Sequence, residues 1–304
     1  MGAAALNLAL LAAAATGVQV GAAIVASRFV VADVPPLTLA MLRYAIGLAC
    51  LLPFALPALR TLPRGLPLRD LAAMAALGTG QFGILIALLN WGLQSVAAAP
   101  AALVFSLFPL ITLLLGAALG RERVTGALLG GVLLSIAGVG LALSSRLQGA
   151  GGGSWWGELA VFAAACVGAL CSVLYRPYLR RYPTLPVSAF AMLASVLFLS
   201  LAAATESWPA RVVAMDARAW GVVAFIGVSS GIGYFWWLYA LKHESPTRVT
   251  VFLALNPVTA ALLGWPLLGE RLPPTTFAAL GCIAAGLWLA TRRTASANRQ
   301  PAPG

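Results

Sequence analysis

Long apolar runs alternate with short polar breaks along this chain, and the runs have the length of a membrane rather than of a soluble core. Ten of them fall near residues 4–26, 36–57, 69–94, 98–119, 125–144, 155–177, 186–205, 218–241, 247–268 and 274–291. Each supplies the roughly 20 mostly apolar residues that an α-helix needs to cross a bilayer. None shows the period-two alternation of a tilted barrel strand, and each is about twice as long as such a strand requires. A helix also satisfies its own backbone hydrogen bonds in lipid. The pattern predicts an all-α integral membrane protein with ten transmembrane helices.

The runs are related to one another. Residues 109–123 recur without a gap 148 positions later as 257–271, which superimposes Pro109 on Pro257, Gly116 on Gly264, Glu122 on Glu270 and Arg123 on Arg271. A second offset, 151, aligns the first two runs of each half, with Gly17 on Gly168 and Ala40-Met41-Leu42 on Ala191-Met192-Leu193. The Gly-rich stretch 149–154 separates the halves and reads as a flexible linker. An odd number of spans per copy makes the second enter the membrane from the opposite side, so the expected fold is two inverted five-helix repeats. The expected organisation is a first repeat over 1–148, the linker over 149–154, a second repeat over 155–293 and a disordered cytoplasmic tail over 294–304.

Composition agrees, with 61% hydrophobic and only 9% charged residues and a mean hydropathy of +0.95. The net charge of +11 does not point to nucleic acid, because the basic residues are scattered singly between membrane runs. Of the 19 Lys and Arg, thirteen fall in the loops on the side of both termini, five on the other side, and Arg43 inside a span. By the positive-inside rule both termini are cytoplasmic. The first run has no basic residue before it and reads as a retained span rather than a cleaved signal. Cys50, Cys166, Cys171 and Cys282 lie within apolar spans without metal-ligand or disulfide spacing, so they read as small packing residues, and no metal or cofactor is expected.

The candidate site follows from polarity at depth. The third and eighth spans carry Gly-rich polar breaks, 78–83 and 227–233. At 1.5 Å per residue, both lie near the bilayer midplane. Matched interruptions point to a transport site, while close helix packing is the competing reading. Beyond the second break, Ser230, Tyr234 and Trp237 share one helical face and offer apolar area with polar handles. Thr16 and Gln19 share a face of the first span, and Ser172 and Tyr175 one of the sixth. Gln19 and Gln81 stand out because a primary amide both donates and accepts. Pro109 and Pro257 fall mid-span, remove a backbone hydrogen bond and are expected to kink the fourth and ninth helices as hinges, or as static kinks. Glu122 and Glu270 precede the fifth and tenth spans, where a helix N-terminus favours a negative group. For Arg43 three fates are open: snorkelling outward, binding a substrate carboxylate, or pairing with a helix-end acid.

Two ordered sets of elements remain: Trp91-Gly-Leu, Pro109, Arg121-Glu-Arg123 and Gly138, then Tyr239-Ala-Leu, Asn256-Pro257-Val258, Gly269-Glu-Arg271 and Gly286. Together they resemble the paired repeats of the drug/metabolite transporter superfamily, EamA type, over essentially the whole chain. The resemblance implies a bacterial inner-membrane carrier of small metabolites, often an amino-acid exporter, working by alternating access. Trp91 and Asn256, from the two motif copies, join Thr16, Gln19, Gln81, Tyr175, Ser230, Tyr234 and Trp237 as candidate substrate-binding residues.

All eight acidic residues sit in loops or near span ends, so no midplane proton relay is visible and a facilitator, or coupling through a helix-end acid, is expected. The lone histidine, His243, stands between Lys242 and Glu244 at a span end with no nucleophile paired to it, which argues against an enzyme. The expected cargo is a small amphiphilic metabolite, foremost an aromatic or bulky neutral amino acid, moved outward by a monomer in the bilayer. A lipid or polyprenyl-phosphate flippase and a broad drug or metabolite efflux carrier remain as alternatives.

Overall fold

The computed structural model describes residues 3–61, 65–96, 101, 104–105, 107–121, 124–147, 155–268 and 275–291. Its helices are α1 (Ala3–Val30), α2 (Pro36–Ala58), α3 (Leu68–Gly78), a π-helical segment (Thr79–Ile84), α4 (Leu85–Ser95), α5 (Phe108–Ala118) and α6 (Gly126–Leu147). The second half holds α7 (Trp155–Arg181), α8 (Thr184–Ala203), α9 (Trp208–Ala214), α10 (Ala217–His243), α11 (Pro246–Val251), α12 (Leu255–Leu268) and α13 (Thr275–Thr291). The described residues contain no strand. Seven helical stretches among them are long and apolar enough to cross a membrane, and three shorter apolar helices lie at Phe108–Ala118, Gly126–Gly138 and Gly281–Ala290.

The outside is as apolar as the inside, which is what a bilayer requires of a folded chain. Leu11, Phe54, Leu114, Leu197, Leu201 and Phe225 are exposed. Trp155 and Trp156, at the start of α7, are exposed as well, as expected of an interfacial belt. Hydroxyls inside the helices bond to the carbonyl four residues back, as Thr112 does to Phe108 at 2.8 Å and Ser188 to Thr184 at 2.8 Å, so polarity is satisfied without water.

Packing follows one rule. The main partners are α1 with α10, α4 with α7, α2 with α8, α2 with α10, α3 with α8, α1 with α12, α5 with α7, α5 with α11, and α6 with α13. Exchanging each span of the first half with its counterpart in the second maps this set onto itself. Glycines mark the close approaches: Gly17 lies on the backbone of Phe252 and Gly168 on the ring of Phe108. These two glycines are the pair that the 151-residue offset aligns.

Two sequence expectations need correction. The break at 227–233 is not an interruption, because α10 runs through it as a continuous helix; only its counterpart at Thr79–Ile84 is unwound, into a π-helix. The prolines are not mid-helix either. Pro109 sits in the first turn of α5, and Pro257 opens α12 just after the 3-10 segment Phe252–Ala254. There a missing N–H costs little, and the break precedes the proline. Glu122, Glu270, Arg123, Arg271, the linker 149–154 and the tail 294–304 lie outside the described residues.

Polar clamps stand at the helix ends. On one, Glu206 accepts from the backbone N–H groups of Leu37 (3.0 Å) and Thr38 (2.7 Å) and from the Thr38 hydroxyl (2.8 Å), capping the N-terminus of α2 with a carboxylate. Glu206→Ala should cost about 1–2 kcal/mol and Glu206→Gln less, read as a fall in melting temperature in detergent; equal melting temperatures for all three proteins would remove the cap from the account. On another clamp, the Tyr182 hydroxyl donates to Asp70 at 2.5 Å, Arg181 approaches the same carboxylate at 3.6 Å, and Lys242 Nζ reaches the Tyr182 carbonyl at 3.4 Å. Its hydrogen bond to the Asp70 carboxylate, with burial, holds the Tyr182 hydroxyl above the usual phenol range.

Candidate functional site

A cavity of about 70 Å³ lies where α1, α2, the π segment, α4, α5 and α10 meet. By volume it has room for a few waters. Its wall includes Thr16, Gln19, Arg43, Tyr44, Gln81, Phe82, Leu85, Phe105, Phe108, Ser230, Gly233, Tyr234, Trp237 and Leu253. No carboxylate among the described residues lines it.

Each polar group arrives by local geometry. Ser230, Tyr234 and Trp237 come from one face of α10, at the 3.6-residue period. The π segment turns Gln81 and Phe82 toward the same space; both are buried. Thr16 bonds the carbonyls of Ala12 (2.8 Å) and Gly233 (3.3 Å), which ties α1 to α10. The Gln19 amide donates to the hydroxyls of Ser229 and Ser230 at 3.4 and 3.5 Å. Gly233 makes room for it, because a methyl there would lie 2.4 Å from Gln19 Oε1. Across the cavity the Ser172 hydroxyl donates to Gln81 Oε1 at 3.2 Å and to the Gly168 carbonyl at 2.7 Å. The two Gln–Ser links join the first span of one half to the third span of the other, once in each direction.

The aromatic rings of the wall form two contacting groups. Phe82 stacks on Tyr234, Tyr44 meets both rings edge-on at 5.8 and 6.1 Å, and Trp237 stands edge-on to Phe108 at 6.1 Å. Tyr234 Oη and Trp237 Nε1 are buried without a hydrogen-bond partner. Arg43 is 5% exposed. Its Cζ lies 5.6 Å from the centre of the Tyr44 ring, its Nε has no partner, and no carboxylate among the described residues pairs with it. Arg43 thus neither snorkels to an exposed position nor pairs with an acid among the described residues, while Glu122 and Glu270 lie outside them.

Six candidates from the sequence converge here: Thr16, Gln19, Gln81, Ser230, Tyr234 and Trp237. Three do not reach the cavity. Trp91 is 47% exposed on the outer face of α4. Tyr175 is fully buried one turn beyond Ser172, where its hydroxyl donates to the Met74 carbonyl at 3.3 Å and ties α7 to α3. Asn256 is buried at the start of α12 with its backbone against Gly21 of α1, and neither atom of its amide has a partner. Sequence reasoning missed Tyr44, Phe82, Phe105 and Phe108. The usable signals were adjacency: Tyr44 follows Arg43, Phe82 lies inside the Gly-rich break, and Phe108 precedes Pro109.

The Gly-rich stretches divide residue by residue between helix packing and the cavity wall. Gly78, Gly227 and Gly231 serve packing, against Ala191, Ile46 and Gly47, while Gln81, Phe82, Ser230 and Gly233 face the cavity.

Comparison with known proteins places this architecture. The model of the EamA-like transporter family matches twice, over residues 7–144 and 155–292. The chain is 32% identical over 237 residues to a "Probable terminal-alkyne amino-acid exporter" of Streptantibioticus cattleyicolor, covering 76% of this chain and 77% of that protein. It is 31% identical to the "Uncharacterized inner membrane transporter YedA" of Escherichia coli, over 84% of this chain and 82% of that one. An S-adenosylmethionine/S-adenosylhomocysteine transporter of Chlamydia trachomatis is 29% identical over 64% of this chain and 62% of that one. A solved crystal structure superposes with a TM-score of 0.73 at 24% identity, covering 96% of this chain and 97% of that one, which shows the fold.

Proposed function

This chain belongs to the EamA-like transporter family, a multi-pass membrane transporter rather than an enzyme, and from that premise we propose that it exports small amphiphilic carboxylates, aromatic or bulky neutral amino acids foremost. The observation that carries the proposal is the cavity itself. Six aromatic side chains form its wall, Tyr44, Phe82, Phe105, Phe108, Tyr234 and Trp237, and Thr16, Gln19, Gln81, Ser230 and Arg43 supply hydrogen-bonding groups. An apolar side chain fills the aromatic part, and the polar groups hold the charged end of the cargo.

Transport proceeds by alternating access between two inverted five-helix repeats, carried by ten spans with both termini in the cytoplasm of a bacterial inner membrane. The support is the packing scheme that survives exchange of the halves, with the paired Gln–Ser links and the paired glycines Gly17 and Gly168. The cavity lies between those halves, so rocking one against the other exposes it first to one side and then to the other. Pro109 and Pro257 follow breaks in corresponding helices and serve as its hinges. With no carboxylate on the described wall, the movement is facilitated.

Counterflow in proteoliposomes tests the whole reading. Vesicles preloaded with unlabelled phenylalanine, tryptophan or leucine should accumulate the same labelled amino acid, and should do so equally with and without a pH gradient at constant voltage. Flux confined to labelled lipid, or flux that collapses with the pH gradient, would overturn the cargo or the facilitative step respectively.

A further inference from the structure

We propose that Arg43 is the docking point for the carboxylate of the cargo, and that the site requires this carboxylate while dispensing with a protonated amine. The inference rests on the proposed function and sharpens its substrate class. Arg43 is a permanent cation, 5% exposed, on the cavity wall. A buried guanidinium is ordinarily paired, yet no acid among the described residues pairs with this one. Two further donors on the same wall, Tyr234 Oη and Trp237 Nε1, are buried without acceptors, as is Arg43 Nε. An excess of donors with one uncompensated positive charge is the complement of a carboxylate, which only accepts and offers about four lone-pair sites.

The same wall is poorly equipped for an ammonium. Its amide acceptors are the neutral oxygens of Gln19 and Gln81, and Gln81 Oε1 already accepts from Ser172. The remaining acceptors are neutral, so a protonated amine meets the charge of Arg43 with nothing negative on the described wall to offset it. Capping that amine, or replacing it with a carbonyl, removes a repulsion. The favoured cargo is therefore the carboxylate of an aromatic or bulky aliphatic acid, including N-acylated amino acids and 2-oxo acids, with the zwitterion tolerated.

Binding of labelled phenylalanine to the full-length protein in detergent, displaced by N-acetylphenylalanine or by phenethylamine, separates the two ends of the molecule. N-acetylphenylalanine should displace at least as well as phenylalanine, and phenethylamine should be weaker by roughly tenfold or more, the range of a charged hydrogen bond. Arg43→Gln should weaken both carboxylates by a similar factor, with Arg43→Lys recovering part of the loss because it keeps the charge without the fork. The wild-type series stands without either variant, so a misfolded Arg43→Gln leaves the test intact. Phenethylamine competing as well as phenylalanine, N-acetylphenylalanine failing, or a folded Arg43→Gln with unchanged affinity would overturn the docking role while aromatic amino-acid binding persisted. No phenylalanine binding together with no phenylalanine counterflow would instead overturn the cargo reading, and the docking role with it.

Discussion

Gly78→Val should sharply lower the melting temperature and reduce the folded yield, whereas Gly221→Val should leave both unchanged. Gly78 closes α3 at the crossing with α8, and a Cβ there would meet Ala191 Cα at 2.7 Å and the Ala191 carbonyl oxygen at 2.8 Å. Those atoms are backbone and cannot rotate away. The approach is fixed from the other side as well, since the Ser195 hydroxyl donates to the Gly78 carbonyl at 2.8 Å. A valine therefore separates two helices along their contact and breaks that bond. Overpacking of this kind costs about 3 kcal/mol, a large part of the stability of a small membrane domain. It also displaces the π segment, which starts at the next residue and carries Gln81 and Phe82 to the cavity. Gly221 is exposed on α10 with nothing within 4 Å of its added Cβ, so it controls for the change of residue type. Size-exclusion yield and melting temperature in detergent provide the readout. A monodisperse Gly78→Val protein that melts with the wild type would refute the crossing as described.

The helices were legible because lipid removes the usual ambiguity: a 20-residue apolar run has few folded alternatives. The run at 36–57 corresponds to Pro36–Ala58 and that at 218–241 to Ala217–His243. What the sequence expresses poorly is direction around each axis, and this separates the six converging candidates from the other three. On α4 the cavity face is Leu85, Ile86 and Leu89; two residues past Leu89, Trp91 is turned about 200° away and points outward. Tyr175 does share the face of Ser172, but one turn further along that face meets α3 instead of the cavity. Asn256 lies three residues past Leu253, the wall residue, and the packing of α12 on α1 takes it out of reach. Arg43 was undecided in the sequence for a related reason. Its three fates differ only in what surrounds the guanidinium, and those neighbours come from α1, the π segment and α10, far away in the chain.

The largest functional effect expected at a single aromatic concerns Trp237, where stability and affinity should move apart. Trp237 is 4% exposed and packs edge-on against Phe108. Trp237→Ala removes that area and leaves a cavity, a loss of about 3–5 kcal/mol. Trp237→Phe keeps most of the area and removes an indole N–H that has no acceptor among the described residues. An unmet buried donor costs about 1–3 kcal/mol, so its removal should hold or raise the melting temperature. If that N–H instead finds its acceptor in the cargo, as the surplus of donors around Arg43 implies, the same change should weaken phenylalanine binding by about threefold to tenfold, the net value of one hydrogen bond. A site kept unsatisfied until its ligand arrives predicts this opposition of signs, which simple packing does not. Thermal melts and equilibrium binding on the same preparation decide the matter. Trp237→Phe with a lower melting temperature and unchanged affinity would make the indole a packing residue and return the donor role to Arg43 and Tyr234 alone.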